Sequence, residues 1–254
     1  MTLVWKPGYS FDSDASTYID AVETADGQAL ETGVRVAIND FVLGCKTDGI
    51  WDAIKACCIL AGARTLAGAL VPLVGTAPTN INFVVGDYNR ETGLLGDGST
   101  KYLDSNRNNN ADPQNDQHLS TYITQSSEGA IIGAGLADAG ASAIYHSPGP
   151  NNVVFRSRSA SSDSAADIGD SGLIAYSRSS SSDYDYVAFA ATGSFTRASQ
   201  TPYNGNAYIF GRNAGAASLT AARLAFYSIG ESLNLALLDT RVSALITAIG
   251  AAVP

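Results

Sequence analysis

The chain has 254 residues, 45% of them hydrophobic and 15% charged, with a net charge of −9. This composition supplies ample core and argues against a disordered tail or a coiled coil. Four lysines, no basic run and an acidic balance exclude the clustered cations that a nucleic-acid partner requires.

The segment Met1 to Ser16 has no apolar stretch of signal-peptide length, and Asp12 and Asp14 follow almost at once. The most apolar stretch, Ala53 to Gly75, is interrupted by Lys55, Arg64 and Pro72, so membrane insertion is not expected. Folding in a cytoplasm, without a signal peptide, is the expectation. Asp14 to Ala25 places Tyr18, Ile19, Val22 and Ala25 on one helix face, with Asp14 as N-cap. A second helix follows from Thr32, with a stripe of Val34, Ala37, Ile38, Phe41, Val42 and Cys45. A third is expected from Asp48, carrying Ile50, Trp51, Ile54, Cys57, Cys58 and Ala61 and ending at Gly62. Trp51 is expected to anchor this region. The three cysteines then share one helical region, and with no CxxC pair or neighbouring His they read as buried free thiols.

The texture changes near residue 76. Residues 1–76 read as a helical region and residues 77–254 as a β-sandwich that carries the first three helices. Expected strands are His118 to Thr124, Ala130 to Leu136, Asn152 to Arg158, Leu173 to Arg178, Tyr184 to Ala190, Ala207 to Gly211 and Arg223 to Ile229. Their length and the Gly, Ser, Asn and Asp between them indicate a mainly β, antiparallel sandwich or barrel. Two similar segments, Arg158 to Asp163 and Arg178 to Asp183, each follow an apolar strand and read as hairpin turns. Gly96-Asp-Gly-Ser-Thr100 reads as a tight turn, since the Lys-Ser/Thr ending of a phosphate loop is missing. A last helix starts at Asn234, buries Leu235, Leu238, Val242, Leu245, Ile246 and Ile249, and ends at Gly250.

Three stretches carry a family resemblance: Phe41 to Ile54, Gly93 to Asp104 and Gln117 to Tyr122, joined by the strand Leu224 to Gly230 and its following helix. Together they resemble phage and prophage virion proteins with a concanavalin A-like (laminin G-like) jelly roll preceded by helices. The resemblance spans roughly Ile38 to the C-terminus. It implies a tail fibre, adhesin or capsid decoration on the virion surface, often facing a host glycan. It implies other virion proteins as partners and assembly into a symmetric homo-oligomer, such as a trimer. A fold does not fix an activity.

Catalytic groups are sparse. His118 and His146 sit in no metal or triad motif, and His118 opens a strand, where a surface or partly satisfied imidazole is expected. The five glutamates are scattered. Asp183 and Asp185 form the one close aspartate pair that a strand would align. No catalytic residue, metal or cofactor is assigned, and the expectation is a non-enzymatic component. A glycan-cleaving hydrolase or lyase on the same fold is the alternative. Two features suit recognition. One is the polar stretch Asn106 to Gln117, with Asn106, Asn108, Asn109, Asn110 and Asp112 as candidate ligand contacts, expected as an exposed loop at one end of the sandwich. The other is a tyrosine set, Tyr184, Tyr186, Tyr203 and Tyr208, with Tyr184 and Tyr186 sharing a face, as do Tyr208 and Phe210.

Overall fold

The computed structural model describes residues 10–136, 139–147, 152–166, 169–214 and 218–254. The reading of the first residues for a signal segment lies, up to Tyr9, outside them. In chain order the elements are α1 (Ser13–Asp26), α2 (Thr32–Thr47), β1 (Ile54–Ile59), a short α3 (Leu66–Ala69), β2 (Thr79–Ile81), β3 (Tyr88–Asn89), β4 (Gly93–Leu95) and β5 (Tyr102–Asn108). Then come β6 (Gln117–Gln125), β7 (Gly129–Ala134), β8 (Ala141–Ser147), β9 (Asn152–Ser159), β10 (Asp163–Ala166), β11 (Gly172–Arg178) and β12 (Asp183–Ala188). The chain closes with β13 (Ala191–Thr196), β14 (Asn206–Ile209), β15 (Arg223–Gly230) and α4 (Leu235–Ala252).

The strands form two antiparallel sheets of a jelly-roll sandwich. Sheet A runs β13-β12-β11-β6-β15-β4-β3, with β1 also paired to β15; sheet B runs β10-β9-β8-β7-β14-β5-β2. Between the sheets lies one apolar core, built from inward positions such as Leu103, Ile132, Phe155, Ile174, Ile209 and Leu224. A second core lies between the outer face of sheet A and the helices, where Val187, Leu173 and Ala175 meet the stripes of α1, α2 and α4. Phe41 of α2 meets Phe226 of β15 edge-on, ring centres 5.7 Å apart. The helical stripes therefore cover one side of the sandwich, as amphipathic helices must.

Local chemistry sets the helix ends. Asp12, not Asp14, is the N-cap of α1: its carboxylate accepts from the Asp14 N–H at 2.9 Å and also holds Lys46 at 2.7 Å. Glu31 occupies the cap position of α2 without a side-chain bond, so Thr32 is its first helical residue. Asn234 caps α4 as expected. The helix passes Gly250 and ends at Ala252, with its apolar stripe buried in the second core. Among the described residues α4 is the one helix long and apolar enough to cross a bilayer by composition.

The third helix is not formed. Ile54–Ile59 is a strand, pairing with β15 from Ile54↔Gly230 to Ile59↔Phe226. Cys57 and Ile59 face the helices, while Ala56 and Cys58 face the sandwich core. A strand buried on both faces is a continuous apolar run, which periodicity cannot separate from a buried helix. The sandwich thus begins before residue 77. The cysteines are split between α2 and β1; all three are buried and free. Burial pushes the Cys45 and Cys58 thiols up to about 12. Trp51 sits in the turn after α2, half-buried against the second core, with the Lys46 ammonium 5.6 Å from its ring centre.

The two serine-rich segments are hairpin turns, β9–β10 and β11–β12. Their leading arginines fold back into the interior. Arg178, fully buried, donates to the carbonyls of Ser180 and Asp183 in its own turn and of Ser157 and Arg197 beyond it. Gly96-Asp97-Gly98 is a tight turn: Gly98 has φ +70°, and a Cβ at Gly96 would lie 2.2 Å from the Thr220 carbonyl. Asp97 accepts from the N–H groups of Ser99, Thr100 and Lys101, which hold its carboxyl well below the usual range despite the opposing effect of burial.

Candidate functional site

The helices cover sheet A; on the outer face of sheet B the outward positions of β8 and β9, such as Ala143, Val154 and Arg156, are buried, while those of β5 and β14 stay half-exposed or exposed. Alternation along β5 sends Leu103 into the core and Tyr102, Asp104 and Asn106 outward. On β14, Ala207 and Ile209 point in and Asn206 and Tyr208 point out. The register pairs Tyr208 with Asp104, and a bulge shifts Asn206 relative to it. The Tyr102 and Tyr208 rings stack, centres 4.6 Å apart and planes 23° apart. Beside them, the Asn206 amide donates to both carboxylate oxygens of Asp104, at 3.0 and 3.3 Å. The Asn106 N–H donates to Asp104 Oδ1 at 2.8 Å. Partial burial, Asp104 and Tyr102 together raise the Tyr208 phenol above its ordinary value. The outcome is a half-exposed patch of two aromatic rings, a fixed carboxylate and a fixed amide.

The sequence-chosen residues fall into three groups. Asn106 borders the patch in a left-handed conformation (φ 55°), its amide donating to the Ala77 carbonyl and the Thr79 hydroxyl. With Asn108, Lys55 and Arg107 it also lines a polar pocket of about 170 Å³. Asn108 and Asn110 both donate to the Asn204 side-chain carbonyl, and Tyr203 is half-buried close by, packed on the sandwich core.

The second group is buried, so the stretch is not wholly an exposed loop. Residues 106–108 belong to β5, and Asn109, Asp112 and Gln117 lie inside. Asn109 donates to the Gly140 and Tyr203 carbonyls and accepts from Gln117 at 2.8 Å. Gln117 in turn accepts from Ser142 and Tyr176. Asp112 pairs with Arg107, and buried Arg158 donates to the carbonyls of Asn109 and Pro113. Mutual hydrogen bonding offsets the desolvation that would otherwise keep such amides outside. Asn109 and Asp112 are structural residues.

The third group faces the core. Tyr184 is buried, donates to Asp163 at 2.9 Å and carries the Arg178 guanidinium over its ring. Tyr186 stacks on Phe195 at 4.6 Å. Tyr208 and Phe210 do not share a face: Phe210 takes a positive φ of 67° and packs on Phe83 inside.

His118 is fully buried rather than on the surface. Its Nδ1 meets the Glu231 carbonyl at 2.6 Å, so Nδ1 carries the proton and Nε2 accepts from the Ser228 hydroxyl at 2.9 Å. Burial pushes its pKa down to about 4. His146 lies on β8. Among the described residues no group of three or more His, Cys, Asp or Glu could hold a metal. Asp183 and Asp185 point away from the core on β12, exposed, with Asp183 accepting from Ser182 and Ser180 of its own turn.

No protein-family model and no curated protein matches this sequence. Solved structures similar to it include the enzymatically active domain of tailspike protein 2 of bacteriophage CBA120 (12% identity, TM-score 0.40, covering 69% of this chain and 30% of that one). Domains LG4-5 of the mouse laminin alpha1 chain are similar at 12% identity and TM-score 0.38, covering 63% of this chain and 46% of that one. The NanB sialidase of Streptococcus pneumoniae is similar at 12% identity and TM-score 0.39, covering 57% and 27%. This chain spans less than half the length of each.

Proposed function

We propose that this chain is a non-enzymatic component of a bacteriophage virion surface, of tail-fibre, adhesin or capsid-decoration type, that contacts a host glycan through Tyr102, Asp104, Asn206 and Tyr208. The virion assignment rests on the sequence resemblance. The glycan reading rests on one observation, the stacked tyrosines beside a fixed carboxylate–amide pair on the sheet face that the helices leave open. Sugar rings offer C–H faces to aromatic side chains, and their hydroxyls pair with a carboxylate acceptor and an amide donor.

Binding rather than cleavage is favoured by the placement of the acids. Hydrolysis of this kind needs two carboxyl groups flanking the bond. In the patch Asp104 is the single carboxylate, and Asp183 and Asp185 lie on the other sheet. The test is retention on a panel of bacterial surface polysaccharides, read together with reducing ends in the same samples. Retention without new reducing ends, weakened by Tyr208→Ala, is the expected result. Reducing-end release abolished by Asp183→Asn or Asp185→Asn would replace this reading with glycan cleavage.

A further inference from the structure

We propose that β13 is the contact through which two copies of this chain join, antiparallel across a two-fold axis, so that sheet A runs on from one copy into the other. β13 is the terminal strand of sheet A and pairs on one side with β12, in an unbroken register from Asp183↔Thr196 to Ala188↔Ala191. Thr192, Gly193, Ser194 and Thr196 are exposed. Gly193 has no side chain, so what it exposes is main chain.

A free strand edge is a row of unpaired N–H and C=O groups, and proteins normally blunt it by shortness, charge, proline, bulges or a covering segment. The other edges here are blunted. β2 has three residues and β3 has two. β10 has four and opens with Asp163, ion-paired to Arg197. The free side of β1 is covered by Leu73 and Val74, which exchange backbone hydrogen bonds with Cys57 at 2.9 Å. Among the described strands, β13 alone combines an edge of six residues, Ala191-Thr-Gly-Ser-Phe-Thr196, with no charge, no proline and no bulge.

The occupant follows from charge and symmetry. Two copies at −9 each repel, so contact between them needs a neutral seam, and β13 supplies one. Main-chain pairing reads length and twist rather than sequence, and the strand that matches β13 in both is β13 itself. Antiparallel self-pairing sets Thr192, Ser194 and Thr196 against the same residues of the second copy, and Thr–Thr and Thr–Ser pairs are favourable across strands. The groove between β12–β13 and the first turn of α4, lined by Asp185, Thr192, Ser194 and Leu235, lies beside the seam and can seat the second copy's side chains. Such an interface is isologous and closes at two.

Sedimentation equilibrium of the full chain tests this, with Thr192→Lys/Ser194→Lys as the disrupting variant because both side chains are exposed and the added charges meet across the axis. The wild type should be a dimer with slowly exchanging β13 amides. The variant should keep the far-UV dichroism of the wild type, dissociate at least tenfold more readily and lose that protection. A parallel scan of Thr192→Cys, Ser194→Cys and Thr196→Cys avoids any loss of fold and should yield a disulfide-linked dimer, since the native cysteines are buried. A monomeric wild type, a trimer, a dimer untouched by the lysines, or no cross-link at any of the three positions would overturn the proposal.

Discussion

The helix-covered face of sheet A and the β5–β14 part of sheet B's outer face have opposite chemistry. On sheet A, the outward positions Leu173, Ala175, Val187 and Phe226 are apolar and lie under α1, α2 and α4. On sheet B, the outward positions of β5 and β14 are Tyr102, Asp104, Asn106, Asn206 and Tyr208, and they stay half-exposed or exposed. A face that buries apolar area must be covered, and each large apolar side chain it hides adds about 1.5–3 kcal/mol. A face of tyrosine, carboxylate and amide has no such need. The helices mark where stability is made, and the open face marks where the chain is free to recognise something.

The sharpest way to break that comparison is to damage the covered face. Phe41→Ala removes the ring that meets Phe226 under the helices and should cost about 3–5 kcal/mol. Chemical denaturation followed by far-UV dichroism and tryptophan fluorescence should show one shifted transition. Separate transitions for the two probes would mean that the helices and the sandwich do not share a core. Arg178→Ala comes next. It strips donors from four buried or turn carbonyls, and the loss should be on the order of 3 kcal/mol, again by denaturation.

His118 gives a pH-dependent version of the same contrast. Its folded pKa of about 4 lies below the ordinary 6.5, so the unfolded chain binds more protons between those values. Stability therefore falls as pH falls through this window, by on the order of 3 kcal/mol in total. The carboxylates of Asp12, Glu31, Asp48 and Asp87 are held below their usual range by basic partners and backbone donors, and their contributions are lost at still lower pH. Melting temperature against pH should show the upper step in wild type and not in His118→Gln. The smallest effect is expected at Asp97→Ala, which frees three turn N–H groups to water and should cost about 1 kcal/mol without changing glycan retention.

Much of this architecture can be read from residue pattern alone. The α1, α2 and α4 stripes announce themselves at helical spacing, and the strands at Leu173, Tyr184 and Arg223 carry short apolar runs between turn formers. β1 could not be read so, because Ile54-Lys-Ala-Cys-Cys-Ile59 is buried on both faces and has lost the alternation that marks a half-exposed strand. The candidate patch was hidden for another reason. Tyr102 and Asp104 lie about a hundred residues from Asn206 and Tyr208 along the chain, and only the β5–β14 register brings them together. What local pattern does carry is the alternation Tyr102-Leu-Asp104 and Asn206-Ala-Tyr208, polar or aromatic outward and apolar inward. Asn109 and Asp112 misled in the opposite direction. Their polarity suggested solvent, but Gln117, Arg107 and Arg158 supply partners inside.

The most direct test sets one substitution on each outer face against the same ligand. Titration of the retained polysaccharide should give a dissociation constant at least tenfold weaker for Tyr208→Ala than for wild type, and an unchanged one for Asp185→Ala, with both variants melting as the wild type does. Loss of binding in Asp185→Ala with Tyr208→Ala unaffected would place recognition on the helix-covered sheet and contradict the account.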